Sequence, residues 1–265
     1  RRGLERRNAK SHLRQVKSDF LSNICHELRT PLSVVVGFVY LLLNQVIGKL
    51  TEEQQKVLET VYRNSEELLE LIDNVLWMTS LNAGDANATM EKFDAREILN
   101  GTMKRYEKAI REKGLRLDVT LPEGEMSLVS DRSKVERVFQ NVFNNAVKFT
   151  SEGSITVKAQ SSPQHDSIDI EIIDTGVGIE QSKIDSIFEP FHQADNSIHR
   201  SYSGLGIGLT VARRMAELIG GKLTITSKVG VGTHVLLNFP SRTVVAPSLS
   251  TSTPAAAQSE QRKFG

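Results

Sequence analysis

The sequence predicts two folded units in series: an antiparallel helical hairpin that pairs into a dimeric four-helix bundle, then an α+β two-layer sandwich. Three observations predict it. Residues 1–81 contain one proline, Pro31, and repeat apolar residues at helical spacing. Residues 82–92 turn polar and glycine-containing, as a linker does. Beyond them, β-rich runs and helical stretches come in groups, not in the strict alternation of a doubly wound sheet.

The first helix is marked by Leu32, Val35, Val36, Val39, Leu42, Leu43 and Val46, and the second by Val57, Val61, Leu68, Leu71, Ile72 and Val75. Gly48 ends the first, and Thr51 followed by Glu52 and Glu53 starts the second with a cap and an acidic first turn. Val34, Phe38 and Leu41 lie on further faces of the first helix, more than one hairpin partner covers, so a homodimer through residues 18–81 is expected. A lead-in over residues 1–17 holds seven Lys or Arg against one Glu and reads as a solvated helix.

In the second unit, residues 93–240, Asp94 caps a helix that Gly114 stops. Further helices are expected over 132–149, 180–187 and 207–219. Strands are expected over 115–121, 126–129, 154–160, 167–173, 222–228 and 233–239. Residues 241–265, rich in Ser, Thr, Pro and Ala, read as a disordered tail or linker.

Composition excludes several classes. Charged residues make up 25% of the chain and hydrophobic residues 39%, as in globular proteins, and a net charge of +1 gives no case for nucleic acid as a partner. A lone Cys25 permits no internal disulfide and fits a cytoplasmic setting. The longest strongly apolar run, residues 34–43, is shorter than the ~20 residues of a membrane span, so no span is expected within this segment. The chain opens at Arg1 without Met, which suggests a piece of a longer protein; a sensor or membrane anchor upstream would be out of view.

Three clusters can carry chemistry. Within the first helix stands Ser22-Asn23-Ile24-Cys25-His26-Glu27-Leu28-Arg29-Thr30-Pro31-Leu32. Pro31 removes the N–H that would bond the carbonyl of Glu27, at a cost of about 3 kcal/mol, and should kink the helix just past His26. Thr30 shares a face with His26 at i+4, while Glu27 lies one step round the cylinder. A near-neutral imidazole is a competent nucleophile, and a nearby carboxylate can take its proton. The zinc-protease reading fails, because Thr30 stands where a second histidine is required.

The second cluster is the helix stripe Asn141, Asn145 and Lys148, at i, i+4 and i+7. Amide oxygens suit a hard cation such as Mg²⁺, and Lys148 can neutralise phosphate. The third is a set of glycine turns. Asp174-Thr175-Gly176-Val177-Gly178 follows a strand and sets a carboxylate at its end, where it can accept from an exocyclic amine. Gly204-Leu205-Gly206-Ile207-Gly208 opens a helix whose first amides can meet phosphate, and Gly230-Val231-Gly232-Thr233 joins two strands. Neither the dinucleotide fingerprint nor a P-loop is present.

Taken in order over about residues 10–240, these segments resemble sensor histidine kinases of two-component signalling. The run around His26 is similar to the phosphoacceptor box, with Phe20, His26, Glu27, Arg29, Thr30 and Pro31 at matching positions. Residues 141–148 resemble the N box, 174–178 the first glycine box, Phe188-Glu189-Pro190-Phe191 the phenylalanine box, and 204–208 the second glycine box. The resemblance implies ATP and Mg²⁺ as cofactors and transfer from ATP to His26, then to an aspartate of a response-regulator receiver domain. It implies Mg²⁺ at Asn145, phosphates at Asn141 and Lys148, and adenine at Asp174 with Phe149 beside the base. Gly176, Gly178, Gly204, Gly206, Gly208 and Thr233 complete the nucleotide site, with a lid at 191–206. A polar Thr30 implies regulator dephosphorylation. Leu205 and Ser203 depart from the commoner Thr or Ser and Gly. Two other readings stay open: an ATP-driven clamp, since chaperone and topoisomerase ATPases share the asparagine and first glycine motifs, and a non-catalytic nucleotide-binding scaffold.

Overall fold

The protein is described here by a computed structural model, which covers residues 2–83, 88–162, 166–190 and 206–241. Two long helices, α1 (Arg2–Leu43) and α2 (Glu52–Ala83), form the expected antiparallel hairpin. α2 starts at a reciprocal cap: Gln54 N–H donates to Thr51 Oγ1 at 3.2 Å, and Thr51 N–H donates to Gln54 Oε1 at 2.9 Å. Cys25, Ile72 and Leu76 pack together between the helices, and the Arg29 guanidinium bridges to the Asp73 carboxylate.

Much of the hairpin's apolar surface stays uncovered in a single chain. Phe20, Leu28, Val35 and Phe38 on α1 and Val57, Val61 and Leu68 on α2 are exposed. Among the described residues one helical segment, Phe20–Leu43, is long and apolar enough to cross a bilayer by length and composition. The ten-residue run read from the sequence understated it, because the apolar residues before Pro31 extend the stretch around Glu27 and Arg29. Only 6% of that segment's apolar window is buried.

The second unit stacks α3 (Ala95–Glu112), α4 (Arg132–Phe149) and α5 (Gly208–Leu218) on one mixed sheet, a two-layer sandwich. Its five strands are β2 (Arg116–Thr120), β4 (Ser154–Ser162), β5 (Ser167–Asp174), β6 (Lys222–Lys228) and β7 (Gly232–Pro240). They lie in the order β2-β4-β5-β7-β6, with only β2 and β4 parallel. β1 (Glu91–Asp94) and β3 (Ser127–Ser130) pair antiparallel as a separate ribbon.

β1 falls partly in the stretch expected to be linker. Its sequence, Glu-Lys-Phe-Asp, has no alternation to read, and its pairing with β3 together with the burial of Phe93 makes it a strand. The helix expected over 180–187 is instead two 3-10 turns, Gln181–Lys183 and Ser186–Phe188. Ser182 and Ser186 spend their hydroxyls on Glu180 and on the Lys183 carbonyl, local bonds that compete with helix propagation, and Pro190 follows directly. Residues 191–205 of the lid expected over 191–206, and residues 242–265 of the tail expected over 241–265, lie outside the described residues. Ser241 is tied in, its N–H donating to the Asp166 carbonyl at 2.7 Å.

α4 begins where Asp131 accepts from Lys134 N–H at 3.1 Å. Burial alone would raise the Asp131 carboxyl, but bonds from Lys134, Ser133 and the Thr89 N–H outweigh it and hold its pKa at about 2. The inner face of α4 is the centre of the core: Phe139 and Phe143 stack at 5.6 Å, and Tyr106 meets Phe143 edge-on at 5.7 Å. Phe143→Ala should cost about 3–5 kcal/mol of stability by urea denaturation. A loss below about 1 kcal/mol would show that the core repacks around the gap.

Candidate functional site

α1 runs unbroken through Pro31 and divides its neighbouring side chains between two faces. Cys25 is turned inward, and burial raises its thiol pKa against the opposing Arg29 charge. His26, Glu27 and Thr30 are exposed. The Thr30 hydroxyl donates to the His26 carbonyl at 3.3 Å, so its proton is spent on the helix while its lone pairs stay available to water. Glu27 and His26, adjacent in sequence, make no side-chain hydrogen bond to one another among the described residues.

On α4 the predicted stripe is present. Asn141 is 3% exposed, and among the described residues its buried Nδ2 has no hydrogen-bond partner. Leaving such a donor unpaired costs about 1–3 kcal/mol, so the position calls for an acceptor. A Cβ built on Gly208 would lie 3.7 Å from Asn141 Oδ1, which sets the start of α5 against the same residue. Among the described residues no side chain caps α5, so its first amides can meet an anion. Asn145 and Lys148 are half-buried further along the stripe, and Lys148 Nζ lies 5.3 Å from the Phe149 ring centroid. Burial lowers the Lys148 pKa, opposed by the carboxylates of Glu67 and Glu70 on α2.

Asp174 closes β5. Its buried carboxylate accepts from the amides of Gly176 at 2.9 Å and Thr233 at 3.3 Å. Burial pushes its pKa up, and those two amides pull against the shift. The glycines here are steric necessities. A Cβ on Gly176 would come within 2.5 Å of the Phe149 carbonyl, and one on Gly232 within 1.9 Å of the Asp174 carbonyl. Gly178 has φ +68 and approaches the Lys228 carbonyl as closely. Thr233 acts through its backbone, while its hydroxyl pairs with Ser227 at 3.0 Å. Ser227 also accepts from Ile179 N–H at 2.8 Å, tying the Asp174 turn to the β6–β7 turn.

Gly206 has φ +67, as the turn before α5 requires. Gly204 lies outside the described residues. Of the phenylalanine motif, Phe188 is placed beside α5: its carbonyl accepts from the Thr210 hydroxyl at 2.8 Å, and Arg213 lies 4.7 Å from its ring centroid.

The two clusters meet across α2. Asn144 Nδ2 donates to both Glu70 carboxylate oxygens at 2.9 Å, and Arg137 donates to Asn74 Oδ1 at 3.0 Å. Met78 belongs to the core of the second unit, and Val75, Trp77 and Leu81 pack against it. The turns of α2 that back the His26 segment through Ile72, Asp73 and Leu76 thus offer Glu70, Asn74 and Trp77 to α4. Sequence reasoning missed Asn144, Arg137 and Ser227. The first two read as ordinary polar helix positions, and only the packing of α2 reveals them.

Comparison with known proteins decides the family. The profile of the His Kinase A (phospho-acceptor) domain matches residues 16–84, and that of the histidine kinase-, DNA gyrase B-, and HSP90-like ATPase matches residues 130–243. Clamp ATPases share only the second part. The chain belongs to the sensor histidine kinases. It is 34% identical to the sensor histidine kinase GacS of Pseudomonas protegens over 85% of its length and 25% of that protein. It is also 34% identical to the histidine protein kinase DivJ of Caulobacter vibrioides, over 90% of its length and 39% of that protein. The chain therefore spans about a quarter to two-fifths of these curated relatives. Among solved structures, full-length ShkA in complex with AMPPNP matches with a TM-score of 0.65 at 27% identity, over 86% of this chain and 47% of that one. The Acinetobacter baumannii histidine kinase AdeS shares the fold, with a TM-score of 0.57 at 21% identity over 82% of this chain and 98% of that one.

A buried carboxylate whose folded-state pKa is raised weakens the fold as pH rises through that range. Asp174→Asn should therefore hold or raise the thermal midpoint at pH 7, with the advantage vanishing below about pH 4, where the parent is protonated both folded and unfolded. ATP affinity should fall more than about tenfold, since a carboxylate acceptor is replaced by an amide. A lower midpoint with intact ATP binding would show that the carboxylate is structural.

Proposed function

We propose that this chain is the catalytic core of a sensor histidine kinase, transferring the γ-phosphoryl group of ATP to His26 and then to a receiver-domain aspartate of a response regulator. One observation supports this most strongly: the same turns of α2 back the exposed His26 segment on one side and the Asn141–Asn145–Lys148 helix on the other.

In the transfer, an imidazole nitrogen of His26 attacks the γ-phosphorus in line, and the bond to the bridging oxygen breaks with its electron pair leaving on ADP. The imidazole proton passes to Glu27 or solvent. Asn141 and Lys148 hold phosphate oxygens, joined by the uncapped amides of α5. Asp174 accepts from the adenine amine, and Phe149 packs beside the base. The half-buried Asn145, on the same stripe as the unpaired Asn141, would hold Mg²⁺, which supplies charge neutralisation to the phosphates. Thr30, with lone pairs facing solvent beside His26, can orient a water for regulator dephosphorylation.

Dimerisation through residues 18–81 accounts for the apolar stripe on α1 and α2. It also gives Phe20–Leu43 a reading other than a bilayer span, since Glu27 and Arg29 would each cost about 2.5–3.5 kcal/mol at a bilayer centre. Such a core works where ATP is abundant, in the cytoplasm. The ATP-binding unit must move along the helices to reach His26, and the Glu70–Asn144 and Asn74–Arg137 bonds are what that motion breaks.

Incubation with labelled ATP tests the assignment. His26→Gln should lose the acid-labile label while keeping ATP affinity, and Asn145→Ala should slow labelling on the order of 10²-fold or more. Label retained by the His26 variant would refute His26 as acceptor.

A further inference from the structure

We propose that Lys113 is a positioning residue of the nucleotide site, holding the last turn of α4 so that Lys148 and Phe149 keep their places there. The proposal rests on the ATP-binding reading of that site. α4 ends at Phe149, and its C-cap Thr150 is extended, with φ −103 and ψ 115. The residue after the cap is Ser151, so no glycine stands where one would satisfy the final carbonyls in the usual way.

Lys113 supplies the partners instead. Its Nζ donates to the carbonyls of Val147 at 2.6 Å, Lys148 at 3.1 Å and Thr150 at 3.1 Å. The Phe149 carbonyl accepts from Val177 N–H at 3.3 Å, in the turn after Asp174. An ammonium is suited to this task, because it carries three donors and no acceptor and sits at the negative end of the helix dipole. Burial lowers the Lys113 pKa, as for an ammonium held away from bulk water.

Lys113 is the C-cap residue of α3, where Gly114 at φ +64 turns the chain into β2. Its ammonium is thereby fixed by the packing of α3 on α4. The turn it holds has little freedom of its own, since Gly176 lies too close to the Phe149 carbonyl to accept a Cβ. Loosening that turn shifts Lys148, Phe149 and the Asp174 loop together. His26, on another unit, is untouched. Loss of Lys113 should therefore act mainly on nucleotide affinity and much less on transfer once ATP saturates the site, where bound phosphate itself holds Lys148.

The test compares Lys113→Met and Lys113→Arg with the parent in the whole chain. It measures displacement of a fluorescent ATP analogue, His26 labelling at saturating ATP, and the thermal midpoint. Lys113→Met should raise the nucleotide Kd about five- to tenfold, with saturated labelling within about twofold, and Lys113→Arg should restore most of the affinity. A folded Lys113→Met variant with parental Kd overturns the proposal, as does a Lys113→Arg variant as weak as Lys113→Met. Should Lys113→Met not fold, Lys113→Arg carries the test alone, and a nucleotide Kd more than about fivefold above the parent's in that variant overturns the proposal. Absence of label at His26 in the parent would count against phosphotransfer and not against Lys113, because the Kd ratio is read without transfer.

Discussion

The rest of the structure depends on α2 being packed on two sides. Toward α1 it presents Ile72, Asp73 and Leu76, which fix the register of the His26 segment through Cys25 and Arg29. Toward the sandwich it presents Glu70, Asn74, Trp77 and Met78. A helix with one apolar stripe could serve only one of these neighbours, so the second contact combines Met78 with polar pairs, Glu70–Asn144 and Asn74–Arg137. Each pair has one charged partner and contributes about 1.5–3 kcal/mol, a strength that holds one arrangement yet lets it be exchanged for another.

α4 meets a comparable demand. Its inner face is anchored by Phe139 and Phe143, which commits the helix to one rotation about its axis. That rotation leaves Asn144 toward α2 and sets Asn141, Asn145 and Lys148 on a neighbouring stripe. Lys148 lies where the carboxylates of Glu67 and Glu70 act on it; in the proposed nucleotide-bound form it meets phosphate instead.

Much of this was legible in the sequence. The hairpin followed from long helical periodicity around Pro31, and the sandwich from strand runs bounded by glycine turns. His26, Asn141 and Asp174 could be singled out because each stands in a short motif whose chemistry is local. What was not legible is what depends on distant packing. β1 is a strand because β3 pairs with it, and the 180–187 stretch gives up a continuous helix to local serine and glutamate bonds. In sequence terms Lys113 is a basic residue before a helix-ending glycine, and only the approach of α4 brings three carbonyls to it.

The account stands on formation of a phosphorus–nitrogen bond at His26. Phosphorus-31 NMR of the protein after incubation with Mg-ATP and removal of nucleotide observes that bond directly. The account predicts one phosphoramidate resonance that persists in alkali and disappears on acidification. A phosphoester resonance stable to acid, or release of inorganic phosphate with no protein-bound signal, would contradict it.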